Sequence, residues 1–383
     1  MRLLPRLSTA ALCLAFAVPA HSQAPAEVFR ATREQLSPNA VDEQGFVPIG
    51  GIPQWISVRG RNRANPVLLV VHGGPGFTLS PTSYWYMRDW EEFFTVVHWD
   101  QRGAGKTYAE NDPAIVKPTM NLARMVDDAA EVVAHLRAAY GKDRIVLVGH
   151  SFGTLIGSKL ARQHPEWLSA YVGMGQFLDF QRSETLGYQA TLASARAAGR
   201  ADAVADLERI APFPDPARPE RNLEDLGTER RWLATFGGYY WRGFVGHNDA
   251  IARFSPDHDA EALKAREAGH QFSLSALWSE LSQVSLLDQT RFDVPVIVFH
   301  GRHDRGTAAE LVDEWFPQIE APSKALLWFD QSAHMVHEEE PGKVLAALVN
   351  TVRPLAMNDG SAHPIEARPV AGDGLSQVVP GRR

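Results

Sequence analysis

Ile145-Val-Leu-Val-Gly-His-Ser-Phe-Gly153 is a continuous apolar run that ends in G-x-S-x-G and passes straight into the helical pattern Thr154–Gln163. A strand that turns this tightly into a helix forces the central Ser151 into strained backbone geometry. Its hydroxyl then projects at the carboxyl edge of a sheet, above the amino end of the following helix. Working outward, Val67–Val71, Thr95–Trp99, Ala170–Val172, Val294–Phe299 and Lys324–Phe329 are runs of the same kind. Unbroken apolar runs are what a parallel sheet buried on both faces requires. Between them lie helical patterns, the clearest over residues 119–139, where Leu122, Val126, Ala129, Val133 and Leu136 recur every three or four residues and Thr119 is the expected cap. The alternation predicts an α/β fold, a mostly parallel, doubly wound sheet with right-handed crossovers.

The rhythm stops between residues 176 and 290, which are rich in Ala, Arg and Glu at helical spacing and broken by Ala211-Pro-Phe-Pro-Asp-Pro216. This stretch is expected to be a helical cap inserted between core segments 23–175 and 291–356. Residues 1–22 carry Arg2 and Arg6, the apolar stretch Ala10–Val18, and Pro19-Ala-His-Ser22, which is the layout of a signal peptide. The apolar stretch is shorter than the about 20 residues that span a bilayer, so a secreted or periplasmic protein without membrane integration is expected. Residues 357–383 have no apolar period and are expected to be a flexible tail.

Of 383 residues, 45% are hydrophobic and 22% charged; 38 Lys and Arg against 45 Asp and Glu give −7, with no block of like charge. Nucleic-acid and anionic-membrane binding are set aside on that balance. The single cysteine, Cys13, lies inside the leader pattern, which excludes a disulfide scaffold, thiolate metal clusters and a cysteine nucleophile. Gly103-Ala-Gly-Lys-Thr107 has Asp100 where a phosphate-binding loop needs its first glycine, so no nucleotide is expected. His334-Met-Val-His337 and His300-Gly-Arg-His303 lack a third ligand at useful spacing, so neither a metal nor another cofactor is expected.

A serine hydroxyl needs a base to take its proton and a third group to orient that base. Asp304 follows the strand Val294–Phe299 and would face the same edge as Ser151; Asp293 precedes that strand and Asp313 falls in the next helix. His334, just after the final strand, is preferred as base over His337, which precedes a helix start. His72-Gly-Gly-Pro-Gly76 would place the amides of Gly73 and Gly74 near Ser151, and the Phe152 amide is the natural second donor for an oxyanion. Tyr84, Trp85, Trp232, Tyr239, Tyr240, Trp241, Phe244 and Trp278 are expected to supply an apolar substrate pocket or to glue cap to core.

HGGPG (72–76), DQRGAG (100–105), GHSFG (149–153), GRHD (301–304) and SAH (332–334) together resemble the α/β-hydrolase superfamily, in particular its proline iminopeptidase branch of serine aminopeptidases. The resemblance covers about 46–175 and 291–353. It implies Ser151 as nucleophile, Asp304 as orienting acid, His334 as base, HGGPG at the oxyanion hole, structural roles for Asp100 and Arg102, and a cap over the substrate chamber. The chain departs from that branch at the elbow, where His150 and Phe152 replace the small residues of G-G-S-W-G. Cap glutamates that bind a substrate amine in the branch have no clear motif here; Glu184, Glu208, Glu229 and Glu280 are the possible positions, each also readable as a solvated helix face. The implied substrate is a short peptide or small molecule. An esterase or lactonase is the alternative, and a non-catalytic binding protein a third.

Overall fold

The computed structural model describes residues 24–241 and 247–357; the leader, residues 358–383 of the tail and Phe244 lie outside the described residues. Eight strands form one sheet: β1 (Val41–Ile49), β2 (Ile52–Gly60), β3 (Val67–Val71), β4 (Thr95–Trp99), β5 (Ile145–His150), β6 (Leu168–Met174), β7 (Val296–Gly301) and β8 (Lys324–Phe329). Their order is β1-β2-β4-β3-β5-β6-β7-β8. The pairs β1/β2 and β2/β4 are antiparallel, and every pair from β4 to β8 is parallel.

Successive side chains of a strand point to opposite faces, and β3 shows the consequence. Val67, Leu69 and Val71 enter one core with Val126, Val133 and Leu155 of the helices Leu122–Tyr140 and Phe152–Gln163. Leu68 and Val70 enter the opposite core with Trp90, Phe94 and Leu348. Helices therefore cover both faces, which is why these strands read as continuous apolar runs. The hairpin β1–β2 has no such signature. The helix expected near 119–139 begins at Leu122 and is capped by Asn121, whose side chain accepts from the Arg124 N–H at 2.8 Å. Thr119 is not the cap; its hydroxyl bonds the Val116 carbonyl and accepts from Arg102.

Between β6 and β7 the described residues fold into five helices, Phe180–Ala197, Ala201–Arg209, Pro219–Thr235, His247–Ala252 and Ala260–Leu281. These helices and the segments joining them contact the carboxyl edge of the sheet. Ser273 donates to the Gly103 carbonyl at 2.8 Å, and the Tyr239 carbonyl accepts from the His334 N–H at 3.0 Å. No described helix is long and apolar enough to cross a membrane.

Candidate active site

Strand order reverses around β3, which lies between β4 and β5, and a crevice opens at the carboxyl ends of the strands flanking such a point. Ser151 follows β5 directly with φ 55° and ψ −125°; among the described residues it alone of the non-glycines has positive φ. That strain is what a turn from strand to helix within one residue demands, and its neighbours show how tight the turn is. A Cβ on Gly153 would sit 2.0 Å from the Val71 carbonyl oxygen, and one on Gly149 would sit 2.6 Å from the Gly153 oxygen. Gly153→Ala must push the start of the helix Phe152–Gln163 away from the end of β3, so a loss of a few kcal/mol of stability is expected. A lowered urea midpoint with activity lost in parallel is the measurement that checks it.

Phe152 is the first residue of its helix, so its N–H has no acceptor within the helix and is available beside the Ser151 hydroxyl. Gly73 approaches from the β3 loop; a Cβ there would lie 2.8 Å from the Ser151 Cβ and 3.4 Å from its Oγ. The loop is braced from below by the segment after β4. Gln101 donates from its side chain to the His72 carbonyl at 2.8 Å and from its N–H to His72 Nε2 at 3.2 Å. Burial lowers His72 to about 4, so the ring is neutral and accepts that bond. Asp100 accepts from the Lys106 N–H at 2.8 Å and from Ser80 at 3.1 Å. Arg102 grips Asp128 through two bonds, at 2.7 and 3.1 Å. Neither Asp100 nor Arg102 faces the crevice, consistent with bracing.

Asp304 stands three residues beyond β7 and His334 five beyond β8, and the two meet with His334 Nδ1 2.8 Å from Asp304 Oδ2. The carboxylate is fully engaged. Oδ1 accepts from the N–H groups of Gly306 and Thr307 at 2.8 and 2.9 Å, and Oδ2 also accepts from the Thr307 hydroxyl at 2.7 Å. Burial alone would raise its pKa, but the His334 ring, His300 and these donors hold it well below the ordinary carboxylate range. An ionised Asp304 fixes the proton of His334 on Nδ1 and leaves Nε2 free to accept. The alternatives lie elsewhere. Asp313 is 3.9 Å from Arg302 at the surface, and His337 packs edge-on against His150 rather than meeting an aspartate. Burial lowers His337 to about 3 and His150 well below its usual value, so both stay neutral beside His334.

Ser151, Gly73, Gly74 and His334 line one cavity of about 410 Å³, closed from above by Phe180, Leu226, Tyr239, Leu274, Trp278 and Leu281. Of the aromatic residues expected there, Tyr239, Tyr240 and Trp278 do line it, Tyr240 anchored by a bond to Glu338 (2.8 Å) and Trp278 by one to the Pro219 carbonyl (2.6 Å). Tyr84, Trp85, Trp232 and Trp241 do not line the cavity, and Tyr84 instead joins core to cap. Tyr84 is buried with its hydroxyl on the Ile251 carbonyl, and Trp85 lies outside against Phe29. Trp232 bonds Asp206 within the cap, and Trp241 stacks on His303 at the surface. Glu280 is exposed and caps the Leu122 N–H at 3.0 Å, a structural bond. Glu208 pairs with Arg196 in solvent. Glu184 and Glu229 behave differently, for both are buried and both hold Arg230, which is on the cavity wall. Arg230, Asn248 and Asp249 of the wall carry no signal in the sequence, since helical cap positions obey no strand-end rule.

A family model described as the alpha/beta hydrolase fold matches residues 66–341, a span that contains the elbow, the Asp304–His334 pair and the whole cap. The chain belongs to the α/β-hydrolase family. It is 28% identical over 299 residues to a probable aminopeptidase of Bacillus subtilis, covering 76% of this chain and 91% of that one. A putative carbamate hydrolase of Escherichia coli is 33% identical over 115 residues, 30% of this chain and 38% of that one. The solved proline iminopeptidase of Mycobacterium smegmatis superposes with a TM-score of 0.59 at 19% identity, over 82% of this chain and 99% of that one. A proline iminopeptidase-related protein of Thermus thermophilus gives 0.58 at 20% identity, over 82% and 98%. At such identities the superpositions speak to fold, and the fold is an α/β hydrolase with a helical segment between β6 and β7.

Proposed function

We propose that this α/β hydrolase is an exported serine aminopeptidase of the proline iminopeptidase type, releasing an N-terminal residue from short peptides through an acyl-enzyme. The carrying observation is the convergence of Ser151, in its strained elbow, with a His334 whose Nδ1 is tied to Asp304, on one roofed cavity. In the proposed cycle His334 Nε2 takes the Ser151 proton as Oγ attacks the acyl carbon. The amides of Phe152 and Gly73, with Gly74 beside them, receive the oxyanion, each donor contributing roughly 3 kcal/mol. The imidazolium, stabilised by Asp304, then protonates the leaving amine, and water repeats the sequence on the ester. Export rests on the leader pattern of residues 1–22.

Support for an amine-bearing substrate comes from charge. Glu184 and Glu229 share the single guanidinium of Arg230 beside the cavity, and Asp249 adds a further carboxylate to its wall. Burial pushes Glu229 up to about 7, so Glu184 and Asp249 against the one charge of Arg230 leave about one carboxylate in excess where we place the ammonium. The relative in Bacillus subtilis, a probable aminopeptidase, agrees with that reading. One observation favours the rival esterase or lactonase: Arg230 already occupies the Glu184–Glu229 pair, which would leave no charge to discriminate amines. A chromogenic prolyl amide decides between them. Acetylating its amine is expected to lower kcat/KM about a hundredfold or more, the cost of an unpaired buried charge. Equal rates on free and acetylated forms would assign the esterase.

A further inference from the structure

The inner wall of the cavity continues into a second hollow. A groove of about 400 Å³ runs between the helices His247–Ala252 and Ala260–Leu281, lined by Ala252, Arg253, Leu263, Lys264, Arg266 and Glu267, and it shares Phe77 and Asp249 with the catalytic cavity. Phe77 is the partition, since Arg266 lies over its ring at 3.6 Å.

Arg266 is the feature the catalytic reading leaves unused. It is 4% exposed, and its guanidinium meets only neutral acceptors: Nε donates to the Thr78 carbonyl at 2.9 Å and Nη2 to the Asn248 side-chain oxygen at 3.3 Å. Among the described residues no carboxylate stands within ion-pair distance of it; Glu338 and Asp249 act on it only from farther away. Burial in this setting works against its charge, and a buried cation is ordinarily paired, because removing it from water is costly. Contrast Arg102, equally buried, which has Asp128 at 2.7 Å. A second cation, Arg253, is exposed on the outer wall of the groove and has no ion pair among the described residues, whereas Lys264 is taken by Glu261 at 2.7 Å.

We propose that this groove is a carboxylate-binding subsite, with Arg266 as inner anchor and Arg253 as outer one, which takes the free C-terminal carboxylate of a short peptide whose N-terminal residue lies over Ser151. The inference rests on the aminopeptidase reading and refines it. The groove also carries Glu267, which accepts from Gln271 at 3.0 Å, and shares Asp249 with the cavity, but neither pairs with Arg266 or Arg253. These two unpaired guanidiniums, with Glu184 and Glu229 beyond Phe77 answering only Arg230, match a zwitterion, ammonium inward and carboxylate outward. Di- and tripeptides with free carboxyl ends are then the favoured substrates, and a guanidinium pairing a carboxylate provides the planar, bidentate geometry for selecting them.

The test compares a prolyl dipeptide with its C-terminal amide, measuring kcat and KM separately. In the wild type the free acid is expected to have a KM roughly tenfold below the amide, with similar kcat, as one charge-assisted contact warrants. Arg253→Gln is expected to shrink that ratio severalfold, and Arg266→Lys to shrink it further. Arg253 is a surface residue, so its variant keeps the test open if the buried Arg266 variant fails to fold, which a thermal melt reports. Equal KM for acid and amide in a wild type that cleaves both would overturn the subsite alone. Cleavage of neither, with an ester still hydrolysed, would overturn the aminopeptidase reading and the subsite with it.

Discussion

Ser151→Ala is expected to lower kcat by about four to six orders of magnitude with little change in stability. The size follows from the position. The hydroxyl at the elbow has the Phe152 N–H and Gly73 on either side, and a Gly73 Cβ would come within 3.4 Å of Oγ. Another serine has no comparable placement in the cavity lining. The fold should survive, because what holds the elbow is backbone. The Ser151 N–H donates to the Met174 carbonyl at 2.9 Å, and its carbonyl accepts from the Thr154 N–H at 2.8 Å. Turnover of a p-nitrophenyl ester, with circular dichroism as the control for folding, measures both parts. A loss smaller than tenfold would place the nucleophile elsewhere.

Asp304→Asn is the second large effect, expected at about 10⁴-fold in kcat near neutral pH. Gly306 and Thr307 bind one carboxylate oxygen, while the other takes Thr307 Oγ1 and His334 Nδ1. An amide in that place must either turn its NH₂ toward His334, reversing the tautomer so that Nε2 carries the proton and cannot accept from Ser151, or turn it toward donors that need an acceptor. Stability responds as well. A carboxyl held below its unfolded pKa contributes stability that is present at neutral pH and disappears as the pH falls toward the folded value. The wild type should therefore lose stability on acidification by a component that the Asn variant lacks. Thermal melts of both proteins from pH 7 down to pH 3 measure it, and identical slopes would mean that Asp304 is not held ionised by the fold.

Both variants concern residues whose place at the site is legible in the sequence, and the reason is topological. In a parallel sheet every strand ends at the same edge, so a residue placed just after an apolar run is placed at the site: Gly73 after β3, Ser151 after β5, Asp304 after β7, His334 after β8. The runs stand out because helices bury both faces. β1 and β2 escape notice for the opposite reason. β1 is buried at Val41, Phe46, Val47 and Ile49 but exposed at Asp42 and Pro48, so no continuous run marks it. The cap is legible as helical and no further. Whether Trp278 enters the cavity or Trp85 the solvent depends on how helices cross, and nothing in local spacing records that. Arg230 shows the limit most clearly: its partner Glu184 is 46 residues away on another helix, and neither carries a motif.

The central claim is that Ser151 is an activated nucleophile opening on the roofed cavity, and covalent labelling tests it most directly. Treatment with a fluorophosphonate, followed by intact mass and peptide mapping, should give one adduct per chain on Ser151, formed at a rate that falls sharply in Asp304→Asn and absent in Ser151→Ala. An unlabelled wild type, or an adduct that persists in Ser151→Ala, would contradict the account.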